Sequence, residues 1–537
     1  MNQCDVLILG GGLAGLCLAR QLQLETSGLD IVILESGKHP VPTATHKVGE
    51  STVEIGAHYL ADTLQLKHYL DAHHLKKFGL RCFFGDNADI TRADELGASA
   101  PLPVSSYQLD RGMLENHLVD LLSDSDALLH TGASVTDVTF EPDGTGRVSY
   151  RYNNQMHCIK SRWVIDASGR KGLLRKRMNL KTENGLHGNA VWFRVDKRIR
   201  VDDWSDSKKW QDRICQGERW LSTNHFMGQG YWVWLIPLSS GATSVGIVAD
   251  ADAYPIKNFM SFERVMHWLQ NKQPQLARAI AEALDGEPPM DFAWLRNYSY
   301  GCSELFSRRR TRQHWALTGE AGLFLDPFYS PGMDFIAYGN TFISDLIRRQ
   351  SQGENIETRQ LLYQQTYLSF YESSLHLYRN QYNGFGNFRL MSLKTVWDYA
   401  YYWGVLGLLF FNKAITDTEL LTSRRDSLAS IRQVHHQLQQ QFQEFASCEP
   451  VVKASASFND HAAIPLLQRL NGELNDELNS EELAVRLDAN LIYLQRLAEE
   501  ISDTLHQHRE PMGNIDFIPE LHQRLTGQEH VINRNPS

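Results

Sequence analysis

The first residues able to do chemistry are Gly10-x-Gly12-x-x-Gly15, which follow an apolar strand and open a helix. That spacing lets the backbone turn tightly, admits a pyrophosphate and aims helix-end N–H groups at its charge. Glu35 closes the next apolar run about 20 residues past Gly15, where a carboxylate accepts hydrogen bonds from an adenosine ribose. Strand, turn, helix and acidic residue together define a dinucleotide site, with Gly10, Gly12, Ala14, Gly15 and Glu35 as its candidate contacts. Further on, Trp232, Trp234 and Ile236 alternate along Tyr231-Trp-Val-Trp-Leu-Ile-Pro-Leu238, so a strand there turns all three to one face. Core packing is the plain use of such a strand, because tryptophans are generally well buried. Lys76 and Lys77 are adjacent, and their plain use is a solvated pair, because lysines are mostly exposed.

Composition narrows the class of protein that carries these residues. The chain has 537 residues, with Lys+Arg 53 against Asp+Glu 63 and a formal net charge of −10, which argues against a nucleic-acid partner. A hydrophobic fraction of 42%, an aromatic fraction of 10% and 22% charged residues are close to globular averages. They exclude disorder, collagen and small disulfide scaffolds. The 7 cysteines, at 4, 17, 82, 158, 215, 302 and 448, are odd in number and scattered, with no CxxC or Cys/His cluster of ligand spacing. A reduced, cytoplasmic protein without a metal site is expected. Met1 to Gly10 runs straight into an apolar strand with no basic region or small-residue cleavage site, so no signal peptide is expected. No segment reaches transmembrane length either.

The elements that must position these residues follow from hydrophobic periodicity. Cys4 to Leu9 reads as a strand, Leu16 to Leu24 has helical spacing and Ile31 to Leu34 is a buried strand, which makes a βαβ unit. Strand-like residues recur from Tyr150 to Ile165 and close on Asp166-Ala-Ser-Gly169, while Trp232 to Val248 reads as two strands joined at Ser239-Ser-Gly241. A further strand, His314 to Thr318, leads into Gly319-Glu-Ala-Gly322, and Phe335 to Ile347 has helical periodicity. After about residue 350 the composition shifts to Gln, Leu, Tyr and His, and the region reads as helical. Ser480 is the expected N-cap of one helix there, whose stripe is Leu483, Leu487, Leu491, Leu494, Leu497, Ile501 and Leu505. The expected division is 1–180 with 300–350 for the nucleotide, 181–299 as an inserted sheet for the substrate, and 351–537 as a helical C-terminal region.

Segments beyond the glycine turn resemble the FAD-binding fold shared by aromatic hydroxylases and flavin-dependent halogenases. Arg111, in Tyr107-Gln-Leu-Asp-Arg111, matches the arginine that sits beside the flavin in that superfamily. Asp166-Ala-Ser-Gly169-Arg170 looks like the strand-end turn whose backbone lines the nucleotide. Gly319-Glu-Ala-Gly322 followed by Asp326-Pro327 resembles the segment that covers the cofactor phosphates and ribityl chain, with Glu320 in place of an aspartate one methylene shorter. Gly and Ala permit close backbone approach, and Pro327 stops the loop before a helix whose N-terminus points towards the flavin. The resemblance implies an α/β protein. Its parts are a Rossmann-like FAD-binding domain of the aromatic hydroxylase/halogenase type, an inserted β-sheet substrate domain and a mainly helical C-terminal region.

Three features resemble the halogenases in particular. Trp232-x-Trp234-x-Ile236-Pro237 is similar to their WxWxIP signature, which implies a wall of two indoles between flavin and substrate. Lys47-Val-Gly-Glu50-Ser51 resembles the segment after the second strand that reaches the flavin, and Ser51 with Glu54 is expected to form a capping box there. Lys77, in Lys77-Phe-Gly-Leu-Arg81, matches the catalytic lysine. The chemistry implied starts from reduced FAD, supplied by a separate flavin reductase, which forms a C4a hydroperoxide with oxygen. Halide attacks its distal oxygen, and the Lys77 ammonium then hydrogen-bonds the hypohalous acid, or forms a haloamine, and holds it against one ring carbon.

Asp326-Pro-Phe-Tyr-Ser-Pro-Gly332-Met-Asp-Phe335 matches the family's flavin and halide loop. The match assigns Asp326, Pro327, Gly332 and Met333 to the flavin and Ser330, Gly332 and Met333 to the halide. Three positions depart from the pattern. Tyr329 stands where the tryptophan halogenases carry a glutamate, their second catalytic group, and an aromatic there is closer to the phenol and pyrrole halogenases. Pro331 has no N–H to offer a halide. Asp334 adds a carboxylate, and like charges at about 4 Å cost about 4 kcal/mol at an effective dielectric of about 20, so it opposes halide unless protonated or paired.

Three functions follow. The first is a reduced-flavin-dependent halogenase of a small aromatic (phenol- or pyrrole-like) or carrier-protein-bound substrate. The second is a flavoprotein monooxygenase or dehydrogenase on the same fold, favoured by Pro331 and Asp334. The third is a membrane-surface or partner-bound flavoprotein, suggested by Val396 to Phe411, which carries one charge and seven aromatics. Buried core is the commoner use of such a stretch, and peripheral membrane contact is the alternative.

Overall fold

An apolar run, a glycine-rich turn and a second apolar run build the expected βαβ unit: strand Gln3–Leu9, helix Leu13–Glu25 and strand Ile31–Glu35. The structure, a computed structural model, describes residues 3–507 apart from 45–46, 86, 124–125, 308–311 and 449–452. Residues 1–2, where the segment read for a signal peptide begins, and 508–537, the end of the expected helical region, lie outside the described residues. The chain divides into two compact units. Unit 1 is Met1–Leu75, Leu109–Gly185 and Ser299–Glu372, and unit 2 is Lys76–Gln108, Leu186–Tyr298 and Ser373–Ser537. The substrate sheet and the helical C-terminal region, which the sequence separates, therefore fall in one unit together with residues 76–108.

In unit 1 the strand Gln3–Leu9 pairs in parallel with Ile31–Glu35 on one side and with Gln155–Asp166 on the other. Trp315–Leu317 also runs parallel to Gln155–Asp166, whose first half turns back in antiparallel pairing with Gly146–Tyr152. Val6, Leu7, Ile8, Ile33, Val164 and Ile165 are all buried, as continuous apolar runs in a parallel sheet require. The glycine turn, the Asp166 turn and the Gly319 turn all follow the C-terminal ends of these parallel strands. This is where open α/β sheets bind their ligands.

Unit 2 is built on an eight-stranded sheet in the order 291–296, 188–195, 243–250, 231–237, 223–228, 80–84, 94–97 and 458–460. The hairpin at Ser239-Ser-Gly241 forms as expected, closing Tyr231–Pro237 onto Thr243–Asp250. One face, with Phe193, Val233, Leu235, Val245 and Ile247, packs on the helices Phe262–Lys272 and Pro274–Leu284 through Leu269 and Ile280.

Two local expectations are corrected. The helix Ser480–Gln507 buries its whole stripe, but Ser480 is its first residue rather than its cap. Asn479 is the cap: its side chain accepts the Glu481 and Glu482 N–H groups at 3.0 Å, and the Glu482 carboxylate accepts the Asn479 N–H at 3.0 Å. This reciprocal pair is a capping box one residue earlier than the serine. The aromatic stretch from Val396 to Phe411 does not present a membrane-binding face, since Trp397, Trp403 and Phe410 are all buried in unit 2. Its helices pack against Arg425–Cys448, Pro465–Gly472 and Ser480–Gln507, so the aromatics are core. Among the described residues no helix is long and apolar enough to cross a membrane.

Candidate functional site

The glycine turn of unit 1 divides its three glycines by what a side chain would meet. A Cβ on Gly10 would lie 2.4 Å from the Ala167 carbonyl, and one on Gly15 would lie 2.1 Å from the Gly10 carbonyl. Those two positions exclude any other residue by protein packing alone. A Cβ on Gly12 would meet only the Lys47 Nζ, at 3.9 Å. The middle glycine thus fronts open space, at the N-terminus of a 13-residue helix whose cap it is, which fits an anionic pyrophosphate. The Glu35 carboxylate braces the turn by accepting the Gly11 N–H at 2.7 Å and the Gly37 N–H at 2.5 Å. A carboxylate has about four acceptor positions, so ribose hydroxyls can share it. Ala14 sits in the first helical turn, where a Cβ on Gly319 would approach its own Cβ to 3.1 Å.

Asp166 serves the fold of its turn rather than pointing outward. Its fully buried carboxylate accepts the Ser168 N–H at 3.0 Å, the Ser168 hydroxyl at 2.6 Å and the Leu174 N–H at 2.7 Å. Burial pushes its pKa up, against those hydrogen bonds. Contact of this turn with a nucleotide therefore belongs to its backbone. A residue not anticipated from the sequence, Arg175, joins the Asp166 and Gly319 turns. Its guanidinium donates to the Glu320 carbonyl at 3.0 Å, to the Gly322 carbonyl at 3.1 Å and to the Arg170 carbonyl at 3.3 Å. The Glu320 side chain turns to Arg170 at 3.5 Å, with both groups about one-third exposed at 33% and 30%, a pair that contributes little stability.

Arg111 donates to the Val48 carbonyl at 2.7 Å and to Glu115 at 2.8 Å, and its buried Nε has no hydrogen-bond partner among the described residues. That unanswered donor also fits a bound cofactor. Glu115, again not anticipated, receives Lys47 as well, at 2.9 Å. Burial alone would raise its pKa, but Arg111 and Lys47 outweigh that and hold it low. Glu50 and Ser51 are buried, and the Glu50 carbonyl accepts the Leu109 N–H at 2.5 Å.

The helix expected to start after Ser51 starts two residues later. The helix Glu54–His58 starts after Val53, whose side chain has no polar atom to cap it. Asp334 supplies the missing acceptor: its buried carboxylate takes the Gly56 N–H at 2.8 Å. The carboxylate that could oppose an anion is thus paired with a helix start. Asp334 lies in the first turn of Gly332–Ser351, a helix that begins after Pro331. Its first intrahelical bond runs from Phe335 N–H to the Pro331 carbonyl at 3.1 Å, so the Gly332 and Met333 N–H groups have no acceptor within the helix. Gly332 is exposed and Met333 buried, and Ser330 and Tyr329 are half-buried in the loop before them. Asp326 is buried and accepts the Phe328 N–H at 2.9 Å across Pro327, which fixes the loop.

The remaining expected residues lie in unit 2. Lys77 is only 7% exposed, whereas Lys76 is exposed, so the two are not a solvated pair. Lys77 ends the strand Leu75–Lys77, whose neighbour is Ser106–Gln108. On the main sheet His225 pairs with Trp234 and Met227 with Trp232, which places all four on the face opposite the helices, as the alternation implies. The His225 ring stands edge-on to Trp232 at 5.3 Å, and the two indoles are 5.7 Å apart. Burial, and then the positive charge of Lys77, lower the His225 pKa to about 3, so its imidazole is neutral. Trp234 is fixed by an Nε1–H bond to the Ser244 hydroxyl at 3.1 Å and lies over Gly246, where a Cβ would come within 2.1 Å of its ring. His225, Ser244 and Gly246 carry no motif of their own, because only strand register brings them to the indoles.

The Rossmann-type cradle in unit 1 suits a dinucleotide such as FAD. Comparison with known proteins makes the class narrower. Residues 8–73 match the NAD(P)-binding Rossmann-like domain, and residues 91–374 match the tryptophan halogenase family. The flavin-dependent halogenase chlA of Dictyostelium discoideum is 27% identical over 440 residues, covering 76% of this chain and 70% of its own. A 1H-pyrrole-2-carbonyl-[peptidyl-carrier protein] chlorinase of Pseudomonas fluorescens is 24% identical, covering 61% of this chain and 72% of its own. In fold, the halogenase PltM solved in complex with phloroglucinol and FAD aligns with a TM-score of 0.63 at 17% identity, over 93% of this chain and 98% of that one. The chain belongs to the tryptophan halogenase family and is a flavin-dependent halogenase that uses FAD.

Proposed function

We propose that this halogenase acts on an electron-rich aromatic ring of phenol or pyrrole type, free or tethered to a carrier protein, and that Lys77 presents the oxidised halogen to it. The observation that carries this reading is a lysine buried to 7% exposure in the unit that holds the indole face of the sheet. Burying an ammonium is costly unless hydrogen bonds or a lowered pKa offset it, so a lysine this deeply buried is retained where its amine is used. As an ammonium, its Nζ–H groups hold the oxygen of a hypohalous acid. As an amine it takes the halogen itself, R–NH2 and HOX giving R–NHX and water. Either form keeps the oxidant from bulk water and aims it at one ring carbon.

Bound reduced FAD, delivered by a separate flavin reductase, supplies with oxygen the two-electron oxidation of halide. For the cofactor, Gly10, Gly12, Ala14 and Gly15 take the pyrophosphate and Glu35 the ribose. Glu50, Ser51, Arg111, Gly319, Glu320, Asp326, Pro327 and the turn at Asp166 line the rest. Halide is received by the Ser330 hydroxyl and the Gly332 and Met333 N–H groups, with Asp334 committed to Gly56 and so withdrawn as a competitor. Tyr329, in place of a glutamate, supports a phenol or pyrrole ring, as do the pyrrolyl chlorinase and the phloroglucinol-bound neighbour. All seven cysteines are unpaired, which supports a reducing, cytoplasmic setting.

The test supplies reduced FAD and bromide with a panel of phenols and pyrroles. Brominated product that rises with bromide, without substrate-stimulated NADPH oxidation by the chain alone, is expected. Flavin reoxidation without bromination, in the wild type and in Pro331→Thr alike, would contradict it. That result favours oxygenation or dehydrogenation, the reading the missing Pro331 N–H supports.

A further inference from the structure

Gln108 has no place in the chemistry derived so far, yet it is completely buried in unit 2. It closes the strand Ser106–Gln108, the neighbour of the strand that carries Lys77. Its Nε2–H donates to the Thr223 hydroxyl at 2.9 Å, which holds the amide in one orientation. Thr223 lies two residues before His225 on the same strand, so its side chain is on the face of the sheet that bears His225, Trp232 and Trp234. The amide is therefore anchored over the indole face, and its carbonyl Oε1, also buried, has no hydrogen-bond partner among the described residues. Buried carbonyl oxygens are rarely left unanswered in folded proteins.

We propose that Gln108 is a substrate-recognition residue whose Oε1 accepts a hydrogen bond from the donor on the aromatic ring, the O–H of a phenol or the N–H of a pyrrole. The assignment rests on the reading of the Lys77 region as the place where the ring is halogenated. It gives that region a fixed polar point among apolar walls, the usual construction of a small-molecule site. Accepting that hydrogen bond also polarises the O–H or N–H and raises electron density in the ring at the carbon to be attacked, so binding and reactivity are served by one contact. Sites built to satisfy a buried hydrogen-bonding group discriminate strongly against an isostere that lacks it, because the group is then left unpaired.

Isothermal titration of the full FAD-loaded chain with 4-propylphenol, 4-propylanisole, pyrrole and N-methylpyrrole tests this without any halogenation. The wild type is expected to bind each donor-bearing ring at least about 10-fold more tightly than its methylated partner. In Gln108→Leu that ratio falls to within about 3-fold because only the donor-bearing ring loses affinity, whereas a merely structural defect weakens both equally. Gln108→Glu, which keeps an acceptor oxygen, retains the preference and guards against a Leu variant that does not fold. A preference for phenol alone or for pyrrole alone identifies which donor is read. Equal binding of the paired rings by the wild type, absence of saturable binding by any donor-bearing ring, or an unchanged ratio in Gln108→Leu overturns the assignment. Bromination that survives Lys77→Ala would instead overturn the Lys77 reading while leaving this binding ratio intact, so the two failures are distinguishable.

Discussion

The two units carry their chemistry in different parts of the polypeptide. In unit 1 the candidate contacts are mostly backbone: helix-end N–H groups, turns emptied of side chains, and carboxylates such as Asp166 and Glu35 that hold those turns in shape. In unit 2 they are side chains: His225, Trp232 and Trp234 on one face of the main sheet, and Lys77 and Gln108 on a separate two-stranded pair, from strands far apart in sequence. A backbone site tolerates change only where a Cβ has room, while a side-chain site tolerates a change of backbone neighbour but not of register. Unit 2 holds three wholly buried neutral imidazoles, His225, His435 and His461, and unit 1 holds one comparable buried imidazole, His74.

Acid should have the largest effect, acting through the three buried imidazoles of unit 2 and His74 of unit 1. Burial lowers the pKa of His225 and His435 to about 3 and that of His461 to about 4. Below about 6.5 the unfolded histidines take up protons and the folded ones do not, so the stability they confer is complete above that pH and is lost as pH falls towards the folded values. Each histidine costs about 1.4 kcal/mol per pH unit across that window. Tm followed by tryptophan fluorescence should therefore drop steeply between pH 6 and pH 4, and less so in His435→Gln, which removes one proton site. A flat profile over that range would refute the buried neutral imidazoles.

Next in size is Gly15→Ala. Its Cβ would collide with a backbone carbonyl that cannot swing away, so roughly 3 kcal/mol or more should be lost together with FAD binding, measured by thermal denaturation and flavin titration. The counterpart in unit 2, Gly246→Ala, meets the Trp234 ring first, a side chain rather than backbone. It should cost about 1–3 kcal/mol, reduce halogenation and leave FAD affinity within about 2-fold. Loss of flavin binding from Gly246→Ala would show that the contrast between the units is drawn in the wrong place.

The same contrast explains what the sequence could reveal. Gly10, Gly12, Gly15 and Glu35 are legible because a turn and its strand are local, and so is the stripe from Leu483 to Leu505. Even there the cap was misread by one residue, since Asn479 and Ser480 both suit an N-cap and only the Glu482 reciprocal bond decides between them. Ser51 and Glu54 have capping-box spacing, but the helix starts after Val53, and Asp334, distant in sequence, accepts the Gly56 N–H. Lys77 could be told from Lys76 only through a family resemblance, as the two are chemically identical. Gln108, His225, Arg175 and Glu115 had no local signature, because strand register and loop packing alone give them partners. Val396 to Phe411 reads the same whether its aromatics face lipid or a protein core, and packing against three later helices makes it core.

The proposed role of Lys77 in unit 2 is to present the oxidised halogen to the ring, with the cofactor and halide held by unit 1. Lys77→Ala and Lys77→Arg, given reduced FAD, bromide and a phenol accepted by the wild type, measure it directly. Ring bromination should fall at least about 100-fold in both, a loss within the range for removing one positioned catalytic group, while FAD affinity and the rate of flavin reoxidation stay within about 2-fold of wild type. Bromination of the ring at the wild-type rate by Lys77→Ala would contradict the account.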